Sequence, residues 1–201
     1  MEGNHSTFVI IMPFDLQFRF HFDRSLQAAA YLLKWAEGRE MRYIHLLKML
    51  YIADREYLVE YGYTITGDKA VAMQYGPVLS RILNLIKGKK SRSETWQQFI
   101  QTVPSRRTVQ LIADPGIGDL SRASMTKLDS VFKRFGNLKP FEVVRLTHEF
   151  PEWEAYYQDN TSTPIPWQAI LQTLGGEKMI RVAKKQMELQ AHQNALQEAC
   201  R

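Results

Sequence analysis

Histidine and acidic side chains are the groups in this sequence that could bind a metal ion. In the stretch HEFPEWE, residues 148–154, acids follow His148, but a zinc-binding helix needs a second histidine where Glu152 stands. Pro151 would interrupt the helix that has to align such ligands. The five histidines are His5, His21, His45, His148 and His192. None has the spacing of a metal-binding pair with another, so we predict no metal site.

Motifs for nucleophilic catalysis and for phosphate binding are missing from the sequence as well. The only cysteine is Cys200, and there is neither a nucleophile elbow nor a glycine-rich phosphate loop. Residues 114–118, DPGIG, contain two glycines but lack the third glycine of a dinucleotide-binding turn. We interpret this stretch as a turn, and we expect no cofactor and no catalytic residue.

Asp54 is the acid most suited to a special role. It falls on the apolar stripe of a helix predicted over residues 41–61, so its carboxylate should be buried or half-buried and should need hydrogen-bond donors. The favoured interpretation is a structural acid that accepts hydrogen bonds from backbone N–H groups of a neighbouring hairpin or turn. A general base or a partner contact is the alternative. His148 has the same two interpretations, and an enzyme built on Asp54 and His148 is the third hypothesis for function.

Apolar periodicity predicts the elements that must position these residues. Helices are predicted over 23–37, 41–61, 121–135, 139–150 and 177–200, and a strand over 107–114. The stretch YTITGDKAVAMQY predicts either a short β-hairpin, with Gly67 and Asp68 between its strands, or two extended segments. Tyr75 is expected to pack its ring and to hydrogen-bond its hydroxyl group beside the next turn. Gly76 would supply conformational freedom there, and Pro77 would begin the following helix.

The sequence therefore predicts a mostly α-helical α+β protein. Its centre is a compact helical domain with a small β-hairpin or sheet, followed by a C-terminal helical extension. We expect an N-terminal arm or short strand over 1–21, the domain over 22–158, and a linker with a C-terminal helix over 159–201. The last helix has a thin apolar face, so we predict a partner contact through Ile180, Met187 and Leu196.

Charge and cysteine content set the expected surroundings. The net charge is +5, and residues 81–107 hold seven basic residues against the single acid Glu94. A solvated loop is one interpretation of this segment, and a phosphate-binding or acid-binding surface is the other. The candidate nucleic-acid contacts are Lys87, Lys89, Lys90, Arg92, Arg106 and Arg107. The lone cysteine indicates a reducing cytoplasm, and the lack of a long apolar run indicates no membrane span.

Four fragments in order resemble a known family, the Panacea domain of SocA-like antitoxins. They are Lys48–Asp54 with the pattern KMLYIAD, Thr64–Gly67, the Tyr-Gly-Pro-Val sequence of Tyr75–Val78, and Leu146–Glu149 followed by Trp153. Their order and spacing agree with the family over roughly residues 22–157. The resemblance assigns structural roles to Asp54, Tyr75, Gly76, Pro77, Thr147, His148 and Trp153.

The resemblance implies a protein that is not an enzyme. It implies an antitoxin of a bacterial or phage toxin–antitoxin system, which neutralises a cognate toxin protein by direct binding. The alternatives are an adaptor that delivers the toxin to the ClpXP protease, and a regulator that binds operator DNA through the basic segment 81–107. The oligomeric state is not predicted.

Overall fold

A computed structural model of the protein describes residues 16–199. Most of the predicted N-terminal arm, including His5, lies outside the described residues, and so does Cys200. The part of the arm that is described, residues 16–21, has no regular secondary structure, and Leu16 is buried in the core. The backbone N–H of His21 donates to the carbonyl oxygen of Thr66, which ties this segment to the loop before the first hairpin.

Helices dominate, as the sequence predicts. They are α1 Phe22–Trp35, α2 Tyr43–Tyr61, α3 Ser80–Ile86, α4 Ser93–Gln97, α5 Arg122–Phe135, α6 Pro140–His148, α7 Pro151–Tyr156, α8 Trp167–Ile170 and α9 Gly176–Ala199. A 3-10 turn, Glu37–Arg39, follows α1, and a π-helical stretch, Leu171–Gly175, joins α8 to α9. No helix within residues 16–199 is long and apolar enough to cross a membrane.

The strands form two small antiparallel sheets. They are β1 Glu40–Arg42, β2 Ala70–Met73, β3 Gly76–Leu79, β4 Ile100–Val103, β5 Thr108–Leu111 and β6 Thr163–Ile165. One sheet has the order β1-β5-β4 and the other the order β3-β2-β6. The mostly helical α+β class is therefore confirmed.

Helix α2 is the centre of the core. It packs against α1, α5, α6, α9 and β3, and every residue from His45 to Asp54 is buried. A helix surrounded in this way should be apolar on all sides, yet α2 carries Lys48 and Asp54 in its buried part. The predicted amphipathic stripe placed too few residues of α2 in the core, because polar residues that interrupt the apolar pattern are buried as well.

The first hairpin differs from the prediction. Its turn is at Gln74 and Tyr75, between the paired residues Met73 and Gly76, and not at Gly67 and Asp68. Residues 64–69 form a loop without ladder pairing, because buried carboxylates bind its backbone N–H groups instead.

Pro77 was predicted to begin a helix. It lies instead inside β3 and pairs with Ala72. This position tolerates proline because β3 is an edge strand. Helix α3 begins three residues later, at Ser80.

The predicted linker over 159–166 contains a strand. Residues Thr163–Ile165 form β6, which pairs with β2 and places the C-terminal region against the domain. Trp167, Ile170 and Leu171 then enter the core. The polar, proline-bearing composition suggested a linker because a strand of three residues gives almost no periodic signal. The same brevity explains why β1 was missed.

Candidate functional site

Three of the family-like fragments meet at one point, which we call the motif junction: Lys48 of α2, Gly76 of β3, and Thr147 and His148 of α6. A β-carbon placed on Gly76 would lie 2.6 Å from Nζ of Lys48 and 2.7 Å from Oγ1 of Thr147. It would also lie 3.2 Å from Cδ2 of His148. Gly76 has φ +84°, a conformation that side chains rarely adopt. Only glycine fits this position, both for its backbone and for its space.

Lys48 is the junction residue that the sequence analysis did not select. Its side chain is fully buried, and Nζ donates to the carbonyl oxygen of Pro77 at 2.7 Å. Burial holds the pKa of the ammonium group well below its usual range. A lysine inside the otherwise apolar run LLKMLYIA was the available signal. Its partner, a proline carbonyl in a distant hairpin, could not be inferred from the sequence.

His148 and Trp153 fasten helices α6 and α7 to the first hairpin. Their rings stack 4.0 Å apart at an interplanar angle of 7°. The indole N–H of Trp153 donates to the carbonyl oxygen of Met73, and the ring of His148 hydrogen-bonds to the backbone of Gln74. Burial lowers the pKa of His148, and the charge of Lys48 lowers it further. His148 therefore has one backbone partner, whereas its Nε2 is buried without a hydrogen-bond partner among the described residues.

Asp54 holds the loop that precedes the hairpin. Its carboxylate is fully buried and accepts hydrogen bonds from the backbone N–H groups of Ile65 at 2.8 Å and Thr66 at 3.0 Å. The hydroxyl group of Thr66 donates to the other carboxylate oxygen. Burial raises the pKa of Asp54 to about 7 against the opposing effect of these donors. The structural interpretation of Asp54 matches these contacts.

Asp68 does the same for the start of α3, and the sequence analysis missed this role. Its carboxylate accepts hydrogen bonds from the backbone N–H groups of Lys69 at 2.6 Å, Arg81 at 3.1 Å and Ile82 at 2.9 Å. Burial raises the pKa of Asp68 to about 6. Gly67 and Asp68 are typical turn residues, so the sequence analysis interpreted them as a hairpin turn. Asp68 instead caps the N-terminus of α3, which begins twelve residues later.

Glu152 binds α7 to α2 and was also missed. Its buried carboxylate accepts hydrogen bonds from the hydroxyl group of Tyr51 at 2.8 Å and from Nε of Arg55 at 2.5 Å. The guanidinium group of Arg55 also lies 4.0 Å from the ring centre of Phe150. Burial and the nearby Glu152 raise the pKa of Tyr51 well above its usual range. Tyr51 and Arg55 stand four residues apart on α2, so both reach the same acid.

The polar side chains of this arrangement bind backbone groups. Lys48, Asp54 and Thr147 have no exposed surface, and each is hydrogen-bonded to a backbone group. A substrate could not reach them without opening the core. Within residues 16–199, no group of three or more histidine, cysteine or acidic side chains could hold a metal ion.

Aromatic rings surround the hairpin turn, and two of them, Tyr75 and Phe141, are exposed. We call this surface the aromatic tip: Tyr75, Phe141, His148, Trp153 and Tyr157. Tyr75 is 53% exposed and Phe141 62% exposed, and their rings meet edge to face at 6.2 Å. Trp153 stacks on Tyr157 as well as on His148. Tyr75 is thus exposed, whereas the sequence predicted a packed ring.

The predicted contact residues of α9 differ in their surroundings. Ile180 and Met187 pack against the core, and Ala183 between them is fully buried beside Gly62. This inner half of α9 therefore has an intramolecular contact, contrary to the reason for predicting a partner there. Leu196 remains 55% exposed. Leu189, which was not predicted, is 48% exposed and stands one heptad before Leu196 on the same face.

The predicted basic surface is split between two places. Lys87, Lys89, Lys90 and Arg92 lie around the loop between α3 and α4, whereas Arg106 and Arg107 lie at the turn between β4 and β5. Arg106 pairs with Glu40 at 3.3 Å and Arg92 with Asp23 at 3.2 Å.

Comparison with known proteins gave one match. Residues 46–154 match the family described as Antitoxin SocA-like, Panacea domain. Neither the curated proteins nor the solved structures gave a match. The matched residues include the whole motif junction and cover more than half of the chain. The chain therefore belongs to the SocA-like antitoxin family that carries the Panacea domain, which connects it with toxin–antitoxin systems.

Proposed function

We propose that this protein is an antitoxin that neutralises a cognate toxin protein by binding it directly. The observation that carries the proposal is the contrast between the motif junction and the aromatic tip. Lys48 is buried and donates to the carbonyl oxygen of Pro77, and the half-buried His148 is hydrogen-bonded to the backbone of Gln74, so these two side chains fix the hairpin against α2 and α6. The rings of Tyr75 and Phe141 are exposed on this support.

The aromatic tip has the composition of an interface centre. Large aromatic side chains are enriched in protein–protein interfaces and frequently dominate the binding energy. Tyr75 and Phe141 project from the hairpin and from α6, which His148 and Trp153 hold together, so little backbone order has to be gained on binding. We place the main toxin contact here, within an interface of about 1,600 Å².

The outer half of α9 supplies the second contact. Every side chain described after Met187 is exposed, including Leu189 and Leu196 on one face. An amphipathic helix of this kind binds in an apolar groove of a partner. This retains Leu196 from the sequence prediction and replaces Ile180 and Met187 with Leu189, because the inner pair already packs against the core.

Co-expression with neighbouring genes tests the function. We expect one adjacent gene to be toxic alone, to be tolerated with this gene, and to give a stable complex of the two purified proteins. If no adjacent gene product is toxic and rescued, the proposal fails. Loss of the toxin from the cells would indicate delivery to ClpXP instead, and rescue without a complex would favour repression through operator DNA.

Matched variants test the two surfaces. Tyr75→Ala combined with Phe141→Ala should weaken the complex by about 2 kcal/mol or more, because the truncated rings are at the interface centre. Leu189→Glu combined with Leu196→Glu should also weaken it. The controls are Trp35→Ala and Ile117→Glu, which alter exposed apolar residues elsewhere. Equal affinity of test and control variants would exclude the surface concerned.

A further inference from the structure

A second polar feature lies apart from the motif junction, between the N-terminal segment, the start of α3 and the loop before α4. It is an open pocket with a cavity volume of about 580 Å³. Small-molecule sites in proteins commonly have volumes of about 300–1,000 Å³. The pocket is therefore large enough for a ligand of nucleotide size.

Four cationic side chains line the pocket, and no acidic side chain does: Lys69, Arg81, Lys90 and Arg92. Arg92 pairs with Asp23, but both groups are at least half exposed, so this pair is weak. None of the described acids forms an ion pair with the other three cations. Four like charges around one cavity repel each other, and a bound anion would relieve that repulsion.

The nearest acid along the chain does not neutralise the pocket fully. Asp68 precedes Lys69, but its carboxylate is directed at backbone N–H groups of Lys69, Arg81 and Ile82. These amides at the start of α3 are therefore already occupied, so the side chains supply the groups for an anion. The charge of Asp68 interacts with Arg81.

Aromatic rings hold the two guanidinium groups in place. The guanidinium carbon of Arg92 lies 3.5 Å from the ring centre of Phe22, and that of Arg81 lies 5.3 Å from the ring centre of Phe20. Phe22 is itself fixed in the core, edge to face with the buried Trp96. Arginine prearranged in this way binds phosphate oxygens through its planar set of donors.

We propose that this pocket binds a nucleoside di- or triphosphate. The four cations meet the phosphates, since a terminal phosphate carries about −1.5 to −2 charge at neutral pH. Asn84, Ser80 and Ser91, which also line the cavity, supply neutral hydrogen-bonding groups for the nucleoside. A concave cavity of this size fits a small ligand better than the backbone of duplex DNA. The proposal concerns a site separate from toxin binding and does not depend on it.

Binding to the purified full-length chain, without any toxin, tests the proposal. Isothermal titration with ATP, ADP, GTP and GDP at about 50 mM salt should give saturable binding to at least one of them, weaker at higher salt. Adenosine and guanosine alone should not bind. Failure of all four nucleotides to bind would overturn the proposal. Inorganic pyrophosphate that binds as tightly as every nucleotide would overturn the nucleoside part.

Two double variants with the same charge change locate the site. Arg81→Gln with Lys90→Gln removes two pocket cations and should weaken nucleotide binding at least tenfold. Lys87→Gln with Lys89→Gln removes two exposed cations of the same loop that do not line the pocket, and it should leave binding unchanged. Equal losses in both variants, or preferential binding of duplex DNA in the same assay, would show a diffuse basic surface and overturn the proposal.

Discussion

In this protein, single buried side chains bind backbone groups that have no partner in a helix or sheet. Asp54 and Asp68 bind the backbone of a loop that has no ladder partner, and Lys48 binds a carbonyl group of an edge strand. Burying such groups is costly unless each finds a partner. Their contribution to the fold should therefore respond to protonation and to very small changes in volume.

Asp54 should give the protein a measurable pH dependence of stability. Its pKa is raised from 3.8 to about 7 in the folded state, so the folded protein binds a proton that the unfolded chain has lost. The free energy of unfolding should therefore fall as the pH rises from 5 to 8, by about 2 kcal/mol from this group. Asp54→Asn keeps the two backbone hydrogen bonds and should remove this part of the decrease.

Urea unfolding of both proteins at several pH values checks this expectation. All other titratable groups are present in both proteins, so the difference between the two curves reports Asp54 together with its interaction with Asp68. Glu94→Gln, at an exposed position, is the control and should follow the unmodified protein. Parallel curves for the protein and its Asp54→Asn variant would contradict the raised pKa.

Gly76 should not accept a side chain without a large loss of stability. Gly76→Ala forces a side chain into positive φ and against Lys48 and Thr147, so we expect a loss of about 3 kcal/mol or more. Gly38→Ala is the matched control, because Gly38 has φ +61° but no neighbouring atom within 4 Å. It should cost only about 1 kcal/mol. Equal unfolding free energies of the two variants would show that the close packing around Gly76 contributes nothing.

The sequence pattern identified some of these buried polar residues, but it did not identify the groups to which they are hydrogen-bonded. Asp54 was recognisable because its place on a helical stripe demanded burial and donors. Lys48, Asp68 and Glu152 were not recognised, because their partners lie in segments whose packing no local pattern encodes. The partner of Glu152 on α2, Tyr51, is separated from it by about half the chain.

Among the elements, α7 is bound to α2 through the ion pair of Arg55 and Glu152. Glu152→Gln would leave the guanidinium group of Arg55 without its charged partner, and that side chain is only 13% exposed. We expect a loss of about 3 kcal/mol in unfolding free energy. Glu154→Gln changes an exposed acid of the same helix and should cost less than about 0.5 kcal/mol. Equal effects of the two variants on urea unfolding would refute the role of the buried pair.

Helices were predicted well and strands poorly, for a physical reason. Helices α1, α2, α5 and α9 are long enough to repeat an apolar position several times, whereas the strands have three or four residues. The hairpin turn was misplaced because Gly67 and Asp68 are favourable turn residues. These two residues have other roles. Gly67 packs against the carbonyl oxygen of Arg19, which leaves no room for a side chain, and Asp68 caps α3.

At the scale of the whole molecule, the predicted boundary at residue 158 can be tested by truncation. A chain ending at 158 loses β6 and the buried Trp167, Ile170 and Leu171. We expect it to lose cooperative unfolding. A chain ending at 187 loses only the outer half of α9, and its unfolding free energy should change by less than about 0.5 kcal/mol. Unaltered stability of the shorter chain would support the boundary predicted from the sequence.

The position of β2 between β3 and β6 has a consequence for biosynthesis. One edge of β2 can pair as soon as the adjacent hairpin leaves the ribosome, but its other edge waits for β6, which is synthesised much later. At about 5–20 residues per second, translation delays that closure by several seconds. During this interval the nascent chain exposes an unpaired strand edge. Chaperones and proteases can bind the chain before β6 covers that edge.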